Sequence, residues 1–254
     1  MRPWIRLDED GVFARVTLDR PPLNILTIDM LADLNRVLES LVPRTSLKAV
    51  ILAGTGRAFS AGVAVEDHVG ERVKPMLEAF HRTFRLLGEL DCATVAAVQG
   101  AALGGGAELA TFCDVVVASD TATLGQPEIK VGVFAPIAAL HYPARIGVPR
   151  TLRMLLGGDV LTAAEAERIG LVDRVVPADR LAEAVDAELA RLRGLSAAVL
   201  RLTKRAVRDS AGLPFAEGLA LLEEIYHCEL MRTADAEEGL RAFVEKRPPV
   251  WKDR

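Results

Sequence analysis

TVAAVQGAALGGGAEL, the stretch from Thr94 to Leu109, decides how the chain is built. Thr94–Val98 is a short, nearly continuous apolar run, the form a strand takes when both of its faces are covered. Gly104-Gly105-Gly106 then opens a helix through Ala107-Glu108-Leu109. The unpaired N–H groups and positive dipole end of such a helix face whatever lies at the strand tip. Small residues there let a ligand come close to the main chain, and glycine reaches backbone angles that a Cβ makes costly. A glycine-rich turn between strand and helix is also a common structural device, so the triplet alone does not make a site.

Working outward, the apolar-run form recurs at Leu47–Leu52, closed by Gly54 and Gly56, and at Val115–Ala118. Val12–Asp19 alternates apolar and polar residues before Arg20-Pro21-Pro22 stops it, which predicts a strand running into a turn. Leu31, Leu34, Val37, Leu38 and Leu41 then share one helical stripe after Thr27, a plausible N-cap, and end near Pro43. Strands separated by helical stretches predict βαβ units and an α/β fold with a mainly parallel sheet. Beyond Pro136 the texture becomes helical, with capping-box spacing at Thr162 and Glu165. Leu181, Val185 and Leu189 mark one late helix, Leu219, Leu222 and Tyr226 another, and Gly239–Lys246 a last one before Pro248-Pro249. The chain is thus expected to divide into a core at 1–194 and a helical region at 195–254. No Pro/Gly/Ser-rich linker marks the boundary near Leu195.

Composition narrows the function classes. The 254 residues are 50% hydrophobic and 26% charged with a formal net charge of −4. That length buries a substantial core, and interspersed charge of both signs offers no basic stripe for nucleic acid or an anionic membrane. Cys92, Cys113 and Cys228 have no metal-ligand spacing and cannot all pair with one another, so a reducing, cytoplasmic setting is expected. The N-terminus shows neither a signal-peptide apolar stretch nor a transit segment. The weakly charged run from Cys92 to Phe112 is interrupted by Gln99, the glycines and Glu108, which argues against a membrane span.

Three segments carry the chemistry: Ala58-Phe59-Ser60-Ala61-Gly62-Val63, Gly100–Leu109, and Gly125-Gln126-Pro127-Glu128. Amides freed at the first two suit an oxyanion, such as the enolate-like oxygen a thioester develops when a nucleophile adds at Cβ or a proton leaves Cα. Glu108 and Glu128 are far enough apart for the chain to leave on a helix, cross a strand and return to the same pocket. Each glutamate alone is more often a cap or a salt-bridge partner. Together, one ionised and one protonated, they divide base and acid work if burial and repulsion separate their titrations. His68, His81, His141 and His227 lack ligand spacing, and Ser60 is not in a Gly-x-Ser-x-Gly elbow. The glycine triplet matches neither a dinucleotide fingerprint nor a Walker loop.

At these residues the chain resembles the crotonase (enoyl-CoA hydratase/isomerase) family, from about Val12 to Trp251. The resemblance implies a spiral of ββα units with a C-terminal helical oligomerisation region that packs into homotrimers, often paired as hexamers. It further implies an oxyanion hole from the amides of Val63 and Gly105, catalysis by Glu108 and Glu128, and a substrate pocket including Gly104, Phe134 and Pro136. By the same resemblance Ala61, Ala64 and Val65 contact coenzyme A, and Phe243 and Lys246 help close over its nucleotide. Lys246 and Arg247 would form a local cationic patch for the phosphates. No metal or redox cofactor is expected; coenzyme A arrives as part of the acyl-CoA substrate.

Two positions depart from the family pattern. Val63-Ala64-Val65-Glu66 stands where many members have Ala-Asp-aliphatic-Lys, so the grip on coenzyme A differs. Pro136 stands where straight-chain hydratases carry a glycine whose amide holds the catalytic water, and proline has no N–H. The stretch Glu128–Ala139, Gly62-Val63 preceding Glu66-Asp67-His68, and the ending Glu245–Lys252 look most like the cyclohexa-1,5-diene-1-carbonyl-CoA hydratases of the family. The expectation is a hydratase acting on an α,β-unsaturated or cyclic conjugated acyl-CoA. The alternatives are an isomerase or CoA-ester hydrolase of the same fold, and a non-catalytic acyl-CoA-binding protein.

Overall fold

A computed structural model describes residues 4–254, beginning with β1 (Ile5–Glu9), β2 (Phe13–Leu18) and α1 (Ile28–Leu41). Thr27 caps α1 as its type predicts, accepting from Met30 N at 3.4 Å, and Val42 ends it just before Pro43. β1 has no counterpart in the sequence reading, which saw only charge there. It pairs antiparallel with β2 at the sheet edge, where Ile5 is buried and Arg6, Asp8 and Glu9 face outward.

A repeating path follows. β3 (Ala49–Gly54) leads to β4 (Ala58–Ser60) and α2 (Val73–Glu89), and β5 (Ala93–Val98) leads to β6 (Ala101–Leu103) and α3 (Gly105–Thr111). β7 (Val115–Ser119) then leads to β8 (Thr123–Gly125) and α4 (Pro136–Ile146). After α5 (Val148–Gly157) come β9 (Val160–Thr162), α6 (Ala163–Ile169), β10 (Arg174–Val176) and α7 (Leu181–Arg193). The chain closes with α8 (Ala197–Ser210), α9 (Phe215–Glu224) and α10 (Ala234–Glu245).

Each first strand joins a six-stranded sheet of order β1-β2-β3-β5-β7-β10, and each second strand a four-stranded sheet of order β4-β6-β8-β9. β2, β3, β5, β7 and β10 run parallel, as do β4, β6 and β8, because every turn of the path advances the same way. This is the ββα spiral. The smaller sheet was not legible: Ala58-Phe59-Ser60, Ala101-Ala102-Leu103 and Thr123-Leu124-Gly125 are too short and small to show a period. It is this second sheet that brings the tips of the three chemical segments side by side.

The long strands are buried on both faces, which explains their unbroken apolar character. Val50, Leu52, Ala96, Val98 and Val116 pack toward α1 and α2, while Ala49, Ile51, Val95, Ala97 and Val117 pack against Leu181, Ala184, Val185 and Leu189 of α7. Val73–Glu89 forms a helix the sequence expectations do not include, and Met76, Phe80, Phe84 and Leu87 are its buried stripe. The capping box at Thr162 and Glu165 is present in full and starts α6.

Past α7 the chain is helical, and Tyr226 falls in a π-type turn at Ile225–Glu229 rather than within α9. Buried carboxylates pin its end. Asp235 accepts from the amides of Lys252 and Asp253, and Glu238 from Arg247 and the Val250 amide. Among the described residues, no helix is long and apolar enough to cross a membrane.

Candidate active site

The first loop is held by a buried asparagine. Asn24 is fully buried, and its Nδ2 donates to the carbonyls of Thr55, Ala58 and Phe59 at 2.8 to 3.0 Å. Ser60 Oγ donates to the Asn24 carbonyl at 2.8 Å and accepts from Gly62 N at 3.2 Å. Leu26 and Val63 then form a parallel bridge in which Leu26 N donates to Gly62 O and Ala64 N to Leu26 O. In parallel pairing the N–H of the residue between those two bonds points away from the partner. Among the described residues no backbone carbonyl takes up the Val63 N–H.

The second loop presses directly on the first. β6 ends at Leu103, Gly104 follows with a φ of 51° and ψ of −128° that suit only glycine, and α3 starts at Gly105. Three glycines make room. A Cβ on Gly106 would lie 2.3 Å from Ser60 O, one on Gly105 2.8 Å from Val63 Cγ2, and one on Gly62 3.7 Å from Gly105 N. The Gly105 N–H begins a helix, so it has no intrahelical acceptor. Val63 and Gly105 are therefore adjacent, each with an N–H not used by the fold.

The third segment returns to the same place. Gly104 N donates to Gly125 O at 2.8 Å, which sets the tip of β8 beside α3. A 3₁₀ turn at Pro127–Val131 then lifts Glu128 over Gly104, so that a Cβ there would stand 2.6 Å from Glu128 Oε1. Glu108 lies one turn into α3, its N–H donating to Gly104 O at 2.9 Å. Its side chain is buried, and Oε1 accepts from Ala138 N at 2.7 Å at the start of α4. Burial pushes Glu108 up to about 8, against the pull of the Ala138 and Ile137 amides, and the Glu128 charge raises it further. Glu128 is half-buried and is also raised by burial, with its own backbone amide and His68 acting the other way.

The structure thus brings together Val63, Gly104, Gly105, Glu108 and Glu128. Ala61 is half-buried and Ala64 buried beside Val63, while Val65 is 65% exposed at the start of a 3₁₀ turn, Val65–His68. Pro136 is the first residue of α4, and Phe134 stands 69% exposed on the loop before it. Phe243 and Lys246 belong to another surface of the single chain: α10 packs chiefly on α8 and the Leu230–Arg232 turn, and Phe243 is 85% exposed. The expected cationic pair is corrected at Arg247, whose guanidinium is taken by Glu238 and Glu245. Intramolecular carboxylates satisfy it, so the patch is left to Lys246.

The sequence gives Gln126 no role, sets His68 aside for want of ligand spacing, and does not single out Tyr142. Gln126 is buried, with its amide between the Glu128 carboxylate and the Tyr142 hydroxyl. His68 Nδ1 bonds the Ala64 carbonyl at 2.9 Å. No spacing rule marks Gln126 and Tyr142 as partners, because they lie sixteen residues apart on different elements and only the fold brings them together.

The fold and site define a class: a ββα-spiral protein in which two main-chain N–H groups free of intramolecular backbone bonds lie beside two carboxyls raised by burial. Comparison with known proteins gives the family. Residues 8–254 match the model of the enoyl-CoA hydratase/isomerase family, and the chain belongs to it. It is 37% identical over 257 residues to the cyclohexa-1,5-dienecarbonyl-CoA hydratase of Thauera aromatica, covering 100% of this chain and 97% of that one. Among solved structures, the enoyl-CoA hydratase of Bacillus anthracis superposes with a TM-score of 0.93 at 29% identity, covering 99% of this chain and 100% of that one. That of Mycobacterium smegmatis gives 0.93 at 27%, covering 98% and 99%.

Proposed function

We propose that the protein is an acyl-CoA hydratase, adding water reversibly to an α,β-unsaturated or cyclic conjugated dienoyl-CoA thioester through an oxyanion-stabilised enolate. The observation that carries this is the meeting of Val63, Gly105 and both carboxyls around the first turn of α3. The thioester oxygen sits between the Val63 and Gly105 amides, each contributing about 3 to 4 kcal/mol as charge develops. At neutral pH the pair of glutamates keeps one proton between them. For hydration Glu108 is ionised and takes a proton from water as its oxygen bonds to carbon, while protonated Glu128 delivers its proton to Cα. Dehydration uses the opposite arrangement of the same proton. The sum of the steps is addition of water, so this reading assigns no cofactor beyond coenzyme A carried by the substrate.

Ala61, Ala64 and Val65 line the coenzyme A side, and Gly104, Phe134 and Pro136 the acyl side. Phe243 and Lys246 act from a neighbouring subunit of a homotrimer or hexamer in the cytoplasm. A cyclic dienoyl substrate is favoured by the start of α4. Pro136 has no N–H to hold a water, and the Ala138 amide is already engaged by Glu108. The likeness to the Thauera aromatica hydratase supports the same choice.

The test is incubation of purified protein with crotonyl-CoA and with cyclohexa-1,5-diene-1-carbonyl-CoA, each followed by mass. Gain of one water with oxygen-18 from labelled solvent is expected, faster for the diene. A shifted double bond without solvent oxygen, or release of coenzyme A thiol, rejects the proposal.

A further inference from the structure

Resting on the hydratase reading above, we infer that Tyr142 is a positioning residue: its buried hydroxyl fixes the Gln126 amide so that Gln126 donates to the Glu128 carboxylate. Tyr142 lies on α4 one turn beyond Ala138, fully buried. Its hydroxyl stands 2.7 Å from the Gln126 amide and 3.3 Å from Thr111 Oγ1. The other end of that amide is 3.1 Å from each oxygen of Glu128. Were the amide oxygen turned toward Glu128, it would face the carboxylate, an acceptor only, whenever Glu128 is ionised. With the amide nitrogen there, Gln126 donates to Glu128 and its oxygen accepts from Tyr142, satisfying all three groups. A phenol is the required partner, because phenylalanine offers no proton to hold the amide oxygen. Burial pushes the Tyr142 hydroxyl well above its ordinary value, so it remains a donor throughout the working pH range.

The same helix therefore serves both carboxyls. Through the Ala138 amide α4 holds Glu108 directly, and through Tyr142 and Gln126 it holds Glu128 at one remove. As Glu128 gives up its proton, the Gln126 donor stabilises the carboxylate that forms. The charged or titratable groups facing Glu128 are Glu108 from α3, Tyr142 from α4 and His68 from the Val65–His68 turn, while Lys130 on its own turn lies against Gly158.

Tyr142→Phe is expected to lower kcat about tenfold with little change in KM, the worth of one hydrogen bond to a charged group. Loss of the donor raises Glu128, so the acidic limb of the kcat/KM profile should move up by about one pH unit. Gln126→Leu should do the same, and the double variant no more than either alone. A readout independent of turnover is available because the chain has 2 tyrosines. In a Tyr226→Phe background, the ultraviolet resonance Raman doublet of Tyr142 should be that of a hydrogen-bond donor. An acceptor-type doublet, or a Tyr142→Phe enzyme with unchanged kcat and acidic limb, overturns the inference while leaving the hydratase reading intact. A wild-type protein that hydrates no acyl-CoA instead defeats the hydratase reading, and the doublet, read without substrate, still decides the bond.

Discussion

Substituting Gly104 by alanine puts a methyl group where the Glu128 carboxyl now rests. The new Cβ would sit 2.6 Å from Glu128 Oε1 and 3.3 Å from its Cδ. Reaching an ordinary 3.4 Å contact requires the oxygen to withdraw by about 0.8 Å, and a misplacement near 1 Å costs about 100-fold in rate. The obstructing atoms are the free end of a side chain, so the fold itself has somewhere to go. Stability loses only the cost of an alanine at φ 51°, ψ −128°, of the order of 1 to 3 kcal/mol. Gly106→Ala is the control: its Cβ meets main-chain Ser60 O at 2.3 Å, which cannot swing aside. We expect Gly104→Ala to remain folded with kcat about 100-fold down and KM nearly unchanged. Gly106→Ala should lose stability first. Steady-state kinetics on the acyl-CoA hydrated by the wild type, beside thermal melts of both variants, decide the matter. A Gly104→Ala enzyme with near-normal kcat would refute the placement of Glu128 over Gly104.

Glu128→Gln should lower turnover by at least about 100-fold while acyl-CoA binding persists; undiminished turnover would remove Glu128 from the chemistry. Activity should fall as pH rises past about 8, where the pair gives up the one proton it shares and no longer holds an acid; a rate flat to pH 10 contradicts this. Because Glu108 is raised in the folded state, its stabilising contribution is complete below its ordinary value of 4.5 and is lost as pH climbs through about 8. Glu108→Gln should therefore raise the melting temperature more at pH 9 than at pH 5, and equal shifts at both would count against the buried charge. Asn24→Ala leaves the carbonyls of Thr55, Ala58 and Phe59 without their shared donor and should cost about 3 kcal/mol in chemical denaturation. A loss below about 0.5 kcal/mol would show that the first loop does not depend on it.

Much was legible from the sequence alone. The apolar runs at Leu47–Leu52, Thr94–Val98 and Val115–Ala118 announced doubly covered strands, because burial on both faces erases alternation. Thr27 and the Thr162–Glu165 pair announced helix starts, since capping is chemistry between residues close in sequence. Gly104-Gly105-Gly106 announced the start of α3 for the same local reason.

What only tertiary structure decided is everything that depends on neighbouring turns of the spiral. The short strands β4, β6 and β8 carry no readable period, yet their pairing sets Val63 against Gly105 and Glu128 against Gly104. Arg247 looked like a phosphate ligand until Glu238 and Glu245 took its guanidinium. The Tyr142–Gln126–Glu128 chain joins α4 to the turn after β8, and Ala138 joins α4 to α3. Hydrogen-bond partners distant in sequence leave no spacing to read, so a residue's role there is fixed by what the fold places beside it.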